Sequence, residues 1–349
     1  MSVPAITESL RLKLLAGANA ADTQIDWPGE SCAGLAEAGV FKWSIPAEYG
    51  GSGLGVQDQL RGSEAIAASC LTSSFILSQR EAAIRRILAG PAHLRERYLP
   101  EAAAGRLFLT IGVSQLSTSR QHMGPSLRAT GKAEGLRLDG DIPWITGADQ
   151  AGVIVAGATL PDDRQILFAL PVPRNGVTIS PPLMLAALIG SRTAAIRCEN
   201  VEIASEDLLW GPTEQILGKI GGGGLETSCL ALGLAVAATE YLQQESKTRP
   251  ELETVAGQFS QSVESARRRL HALADGSPDP ESVAALRVDC TRLALQASQT
   301  GLLFAKGTGF VVPHPAQRLA RQALFFLIWS CPRPVAAGVL DGLLPAPSI

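Results

Sequence analysis

Histidine is scarce in this 349-residue chain: His93, His122, His271 and His314 are the only four, and no two lie three or four residues apart. No helix face therefore carries a pair of imidazoles, and a histidine-built metal centre is not expected. The six cysteines, at 32, 70, 198, 229, 290 and 331, form no C-x-x-C and no close pair, which argues against a zinc knuckle or a redox dithiol. Free thiols in a reducing cytoplasm are the expected state. A basic surplus is also missing. Thirty Lys and Arg stand against 33 Asp and Glu, for a formal charge of -3, so there is no excess with which to neutralise phosphates and nucleic acid is not an expected partner. The longest uncharged apolar-leaning stretches, 227–239 and 322–331, fall short of the roughly 18–20 residues that a membrane span needs and read as buried helices. The first nine residues meet a charge at Glu8 and lack the basic start and apolar core of a signal peptide, so export is not expected.

What is present is the composition of a globular protein, 46% hydrophobic against 18% charged, long enough for two or three domains at roughly 100–200 residues each. Apolar residues recur at three- and four-residue intervals over 6–15, 31–38, 57–77 and 80–88, the helical period. Between about 108 and 205 the texture changes to short β-rich runs at 108–113, 136–140, 152–157, 165–170 and 195–201, punctuated by Gly, Pro and Asp. Helical period returns over 226–244, 255–273, 280–303 and 315–329. The expected fold is α+β: an N-terminal helical domain (1–107), a small middle β-barrel or sandwich domain (108–212) and a C-terminal helical bundle (213–349). Segregated blocks of this kind disfavour a Rossmann fold. Gly221-Gly-Gly-Gly224 lacks the G-x-G-x-x-G spacing and any Walker pair, and reads as a flexible lead into a helix.

Three segments carry a family resemblance. Ile45-Pro-Ala-Glu-Tyr-Gly-Gly-Ser-Gly-Leu-Gly55 resembles the P-x-E-Y-G-G-x-G loop of the acyl-CoA dehydrogenase family, and Leu138-Asp-Gly-Asp-Ile-Pro-Trp-Ile-Thr-Gly-Ala148 resembles its D-G-x-x-x-W-I-T-x-A element. Gly307-Thr-Gly-Phe310, followed by Pro313 to Arg321, is a looser match to its G-G-x-G-Y segment and R-x-x-R-D-A run. With the same helix, β, helix order, the resemblance spans nearly the whole chain. It implies FAD as cofactor, an acyl thioester of CoA or an acyl carrier protein as substrate, an electron-accepting flavoprotein as partner, and a homodimer or homotetramer sharing flavin between subunits. Oxidising a saturated thioester removes an α-hydrogen as proton and a β-hydrogen as hydride, so it needs a carboxylate on one side of the substrate and a flavin on the other.

Residue by residue, the resemblance places Trp144, Ile145 and Thr146 against the flavin ring; alone, the same residues read as a buried strand end. Val113 and Ser114 fall where the family's T-E-P-x-x-G-S-D segment begins. Arg120 falls where that segment's Ser touches the pyrophosphate, as a bidentate phosphate ligand or a solvated side chain. Arg249 is the candidate for the arginine donated to a neighbouring subunit's flavin, and Gly307 and Thr308 belong to the next cofactor segment, where Leu303 and Lys306 replace the family's Gln and first Gly. The family's usual catalytic glutamate aligns with Ser330, a poor proton acceptor. Trp329 and Ser330 are assigned to the substrate, the backbone N–H groups of that loop polarising the thioester carbonyl. Isovaleryl-CoA dehydrogenase and its kind place their base instead in an L-E-R-L-x-x-A-x-G context, and Leu225-Glu-Thr-Ser-Cys-Leu-Ala-Leu-Gly233 repeats the Leu-Glu and the glycine seven positions later. Glu226 is therefore the candidate base, its plainer reading being a complement to a helix dipole. A flavin monooxygenase of the same fold and a non-catalytic scaffold subunit are the competing functions.

Overall fold

The computed structural model describes residues 6–116, 124–132, 135–219 and 224–343. Five helices open the chain: α1 (Glu8–Thr23), α2 (Gly29–Glu37), α3 (Val56–Ser69), α4 (Leu71–Ala89) and α5 (Ala92–Ala103). Thr7 starts α1 by accepting the Leu10 N–H at its hydroxyl, the usual N-cap device. The period expected to run through 57–77 is interrupted at Cys70, whose extended backbone (φ -154°, ψ 101°) separates α3 from α4. Helix α5, absent from the periodicity reading, starts after Pro91 and contains Pro100.

The P-x-E-Y-G-G-x-G loop packs beneath α4 and α5, with Ile45 fully buried beside Ile84, Leu94 and Leu99. Gly50 takes a left-handed φ of 81°, and a Cβ on Gly51 would lie 1.8 Å from the Ile45 carbonyl oxygen. The consecutive glycines are thus a steric requirement of the turn.

Eight strands follow: β1 (Leu109–Gly112), β2 (Leu127–Lys132), β3 (Gly135–Ile145), β4 (Val153–Thr159), β5 (Gln165–Pro171), β6 (Val177–Ile179), β7 (Ala194–Ala204) and β8 (Leu208–Thr213). They form one sheet in the order β6-β7-β3-β2-β4-β5-β8, with β1 running parallel to β4. One face buries Leu127, Leu138, Ile142, Ile154, Phe168 and Ile196. The other lays Val155, Leu167 and Leu209 on Ile84, Ile87 and Leu99 of α4 and α5. Strand β4, buried at every position, is apolar on both sides because both sides are covered.

The remaining helices are α6 (Ile216–Lys219), α7 (Gly224–Ser246), α8 (Glu253–Ala274), α9 (Pro280–Ala305), α10 (Pro315–Phe325) and α11 (Arg333–Asp341). Helix α7 is the bundle's axis, Leu230 and Leu234 sharing one core with Leu60, Phe75, Leu286, Leu293 and Phe326. It extends beyond the uncharged stretch at both ends, and by length and composition it is the one described helix that could cross a membrane. Its burial in the bundle accounts for that apolarity. Gly221 to Gly223 lie outside the described residues; Gly224 already belongs to α7.

Candidate active site

Glu226 sits in the first turn of α7, where a carboxylate complements the helix dipole. The structure adds a partner the sequence reading did not supply: Arg85, on the last turns of α4, places Nη1 3.0 Å from Glu226 Oε1. The two side chains are 37% and 36% exposed, so the pair is open to solvent. Gly233, the glycine in register with Glu226, has a packing role: a Cβ there would meet Ala67 Cβ at 2.5 Å and the Glu64 carbonyl oxygen at 2.6 Å. It lets α7 close on α3.

Arg287 of α9 joins the head of α7 to the segment after α10. Its Nη1 donates to the Thr227 carbonyl at 3.0 Å, and its Nη2 donates to the carbonyls of Trp329 at 3.1 Å and Phe326 at 3.4 Å. The guanidinium is 3% exposed and lies over the Phe326 ring. Burial pulls its pKa down to about 10. One buried side chain therefore spans from the residue after Glu226 to the residue before Ser330. Ser330 itself is exposed and takes φ 48°, left-handed backbone that a non-glycine residue adopts at a cost. Trp329 stacks on Phe325 with ring centroids 5.3 Å apart and meets Phe75 edge-on at 5.2 Å. Its indole belongs to an aromatic cluster at the base of the loop.

The R-x-x-R run of α10 fixes this loop from the other side. Arg318 Nη1 donates to Asn19 Oδ1 at 2.8 Å, and Arg321 Nη2 reaches Asp22 Oδ2 at 2.6 Å. Asp22 is fully buried and also accepts from the Leu188 N–H at 3.0 Å and Gln322 Nε2 at 2.8 Å. One carboxylate thus ties α1, the turn before β7 and α10, with charge-assisted bonds to replace its water.

On the sheet, Trp144 and Thr146 mark the end of β3. The Trp144 indole is 53% exposed, a large aromatic face left uncovered, whereas Ile145 is fully buried. Thr110 of β1 donates its hydroxyl to the Thr146 carbonyl at 2.7 Å, which sets the end of β1, and so Val113 and Ser114, beside this strand end. The Thr146 hydroxyl is turned inward, 3.3 Å from Thr193 Oγ1, which in turn is 2.9 Å from Ser191 Oγ. An uncovered indole beside two strand ends fits a planar aromatic group. Thr146 meets that fit with a hydroxyl already engaged, although one proton and two lone pairs permit a second partner. Arg120 lies outside the described residues.

A second set of candidates collects around the end of α9. Arg249 Nη1 donates to the Phe304 carbonyl at 2.6 Å and approaches Glu245 at 3.6 Å. Gly307 and Thr308 lie in a short 3-10 turn (Lys306–Phe310), with the Thr308 hydroxyl donating to the Ala305 carbonyl. Lys306 has φ 55° and ψ -152°, a backbone region that glycine alone enters freely. A lysine thus stands in a backbone conformation suited to glycine. Leu303, Phe310, Val311 and Val312 are all exposed here. Leu324 and Ile328 are exposed as well, whereas Phe326 between them lies in the core.

Among the described residues no three His, Cys, Asp or Glu side chains are placed to hold a metal ion. A groove of about 780 Å³ between α1, α3, α7 and α8 is lined by Arg61, Glu64, Glu240, Arg267 and neighbours. None of the motif residues borders it.

Comparison with known proteins gives these positions a context. The profile "Acyl-CoA dehydrogenase, N-terminal domain" matches residues 5–106. A probable acyl-CoA dehydrogenase of Bacillus subtilis, YngJ, is 23% identical over 329 residues, 85% of either chain. Glutaryl-coenzyme A dehydrogenase in its glutaryl-CoA complex superposes with a TM-score of 0.84 at 21% identity, covering 98% of this chain and 97% of that one. The prolyl acyl carrier protein oxidase AnaB superposes with a TM-score of 0.81 at 15% identity, over 96% and 98%. Profile, relative and fold point the same way: residues 5–106 match the N-terminal domain of acyl-CoA dehydrogenases, most of the chain is similar in sequence to a probable member of that family, and its fold is theirs.

Proposed function

We propose that the chain binds FAD and catalyses α,β-dehydrogenation of an acyl thioester carried on CoA or an acyl carrier protein. The observation that carries this reading is the Arg287 bridge, which holds the Glu226 turn and the Ser330 loop at one place although they are about a hundred residues apart. The flavin, when bound, supplies the acceptor for the β-hydride. Trp144, with Val113 and Ser114 beside it, would hold the ring, and Thr146 would add its hydroxyl; Arg249, Gly307 and Thr308 would face the flavin of a second copy. Glu226 accepts the α-proton as the α,β double bond forms, and backbone N–H groups of the Ser330 loop stabilise negative charge on the thioester oxygen. A homodimer or homotetramer covering Leu303 and 310–312, a cytoplasmic site suited to six free thiols, and transfer of electrons to an acceptor flavoprotein complete the reading.

The test is the visible spectrum of the purified protein followed by anaerobic addition of acyl-CoAs. Bleaching of the flavin supports dehydrogenation. A yellow protein that responds only with a reductase and oxygen is a monooxygenase, and a colourless protein that takes up no FAD is a scaffold.

A further inference from the structure

The carboxylate proposed as base is not free. It is held by Arg85 at 3.0 Å, and the charge around it is unbalanced. Arg86, next along α4, is buried and donates Nη1 only to the Ala82 carbonyl, and its Nε has no partner. Burial, with the charge of Arg85 added, draws the pKa of Arg86 down to about 10 despite the opposing pull of Glu226. One residue beyond Glu226, Arg287 meets carbonyls alone, and its Nε is likewise unpartnered. Among the described residues, two guanidiniums, Arg85 and Arg86, thus share the one carboxylate of Glu226 at the head of α7, while Arg287 is held by carbonyls.

This arrangement poses a problem for a purely hydrocarbon acyl chain. To reach the α-carbon, Glu226 must turn from Arg85 toward the substrate, and the chain beyond the α-carbon must pass close to Arg85. Apolar atoms that strip water from the Arg85 guanidinium while removing its carboxylate leave an uncompensated charge. An acyl group ending in a carboxylate removes the problem. Its two oxygens take the place of Glu226 on the guanidinium fork, the added negative charge offsets the surplus positive charge of Arg86, and Glu226 is released as base.

Resting on the dehydrogenase reading above, we infer that Arg85 is a specificity-determining residue and that the preferred substrates are thioesters whose acyl group carries an anionic end a few bonds beyond the α-carbon. Arg85 holds Glu226 until such a group displaces it.

The test compares mono-CoA thioesters of dicarboxylic acids (succinyl, glutaryl, adipyl) with the monocarboxylic thioesters of equal length (butyryl, valeryl, hexanoyl). It uses the holoprotein and its Arg85→Met and Arg85→Lys variants. Affinity is measured by equilibrium dialysis and flavin bleaching is followed separately under anaerobic conditions. Because the pair is partly solvated, the expected preference for one of the charged chains is about 10- to 100-fold in affinity. It should vanish in Arg85→Met and survive in part in Arg85→Lys, with flavin content and circular dichroism unchanged. Equal affinity for charged and neutral chains in the unaltered protein overturns the inference, as does a preference that persists in Arg85→Met. If Arg85→Met does not fold, Arg85→Lys decides by whether the preference falls. Failure of every thioester, on CoA or on an acyl carrier protein, to bleach the flavin overturns the dehydrogenase reading instead, and dialysis still reports whether Arg85 selects charge.

Discussion

Replacing Arg287 with methionine separates holding the site together from merely filling the core. The chain loses two good charge-assisted bonds, to the Thr227 and Trp329 carbonyls, and a longer one to Phe326. At about 1.5–3 kcal/mol each, the two good bonds amount to about 3–6 kcal/mol. Against this stands the cost of burying the charge. The folded pKa, about 10, lies below that of an unfolded arginine, so the charged form is disfavoured by folding at every pH below the folded value. The depression corresponds to roughly 3 kcal/mol at neutral pH, relieved only as alkaline pH removes the proton. Methionine keeps most of the volume and removes the charge. The expected net loss is therefore about 0–3 kcal/mol in urea unfolding, small for a side chain this buried. The rate should suffer more than the stability. With the Glu226 turn and the Ser330 loop uncoupled, anaerobic flavin reduction should slow about 10- to 100-fold at saturating thioester, the scale of a misplacement near 1 Å. A variant that unfolds more easily yet reduces flavin at the unaltered rate would refute the positioning role and leave Arg287 a structural residue.

Lys306→Gly should stabilise the protein by about 1 kcal/mol, since glycine enters this backbone conformation without strain; a thermal midpoint that does not rise counts against the stated cause. Gly51→Ala should cost about 3 kcal/mol or more, because the new Cβ meets a carbonyl oxygen rather than a flexible side chain, and a urea midpoint within error of the parent would refute it. Burial, then the charge of Arg61, depress the His271 pKa below its ordinary 6.5. The unfolded chain therefore takes up the proton first, so this contribution to stability is intact above about pH 6.5 and is lost as pH falls from there through the lower folded value. His271→Gln should flatten that part of the stability profile, and an unchanged acid limb would show that other groups govern it.

The helical and β blocks were legible because apolar spacing follows which faces are covered, as on α7 and β7. Other elements were not. The period runs unbroken across Cys70, where the chain turns without Gly or Pro, and α5 hides its Leu94 and Leu99 face between two prolines. Strands β2, β6 and β8 are short or polar at alternate positions and take their order from pairing partners far along the chain. Trp144 and Glu226 are candidates that the motifs single out. Arg85, Arg287 and Asp22 are not, because a charged residue in a helical stretch reads as its solvated face until the fold shows what buries it. Only the left-handed backbone at Lys306 reveals that the lysine occupies a glycine's conformation.

The most direct measurement is anaerobic flavin reduction by Glu226→Gln, with a thioester that bleaches the unaltered protein. Glutamine keeps the size and hydrogen-bonding reach of the side chain and removes its basicity, so flavin content should persist while the reduction rate falls by at least ~100-fold. Reduction at an unaltered rate would contradict the assignment and leave Glu226 a helix-end charge paired with Arg85.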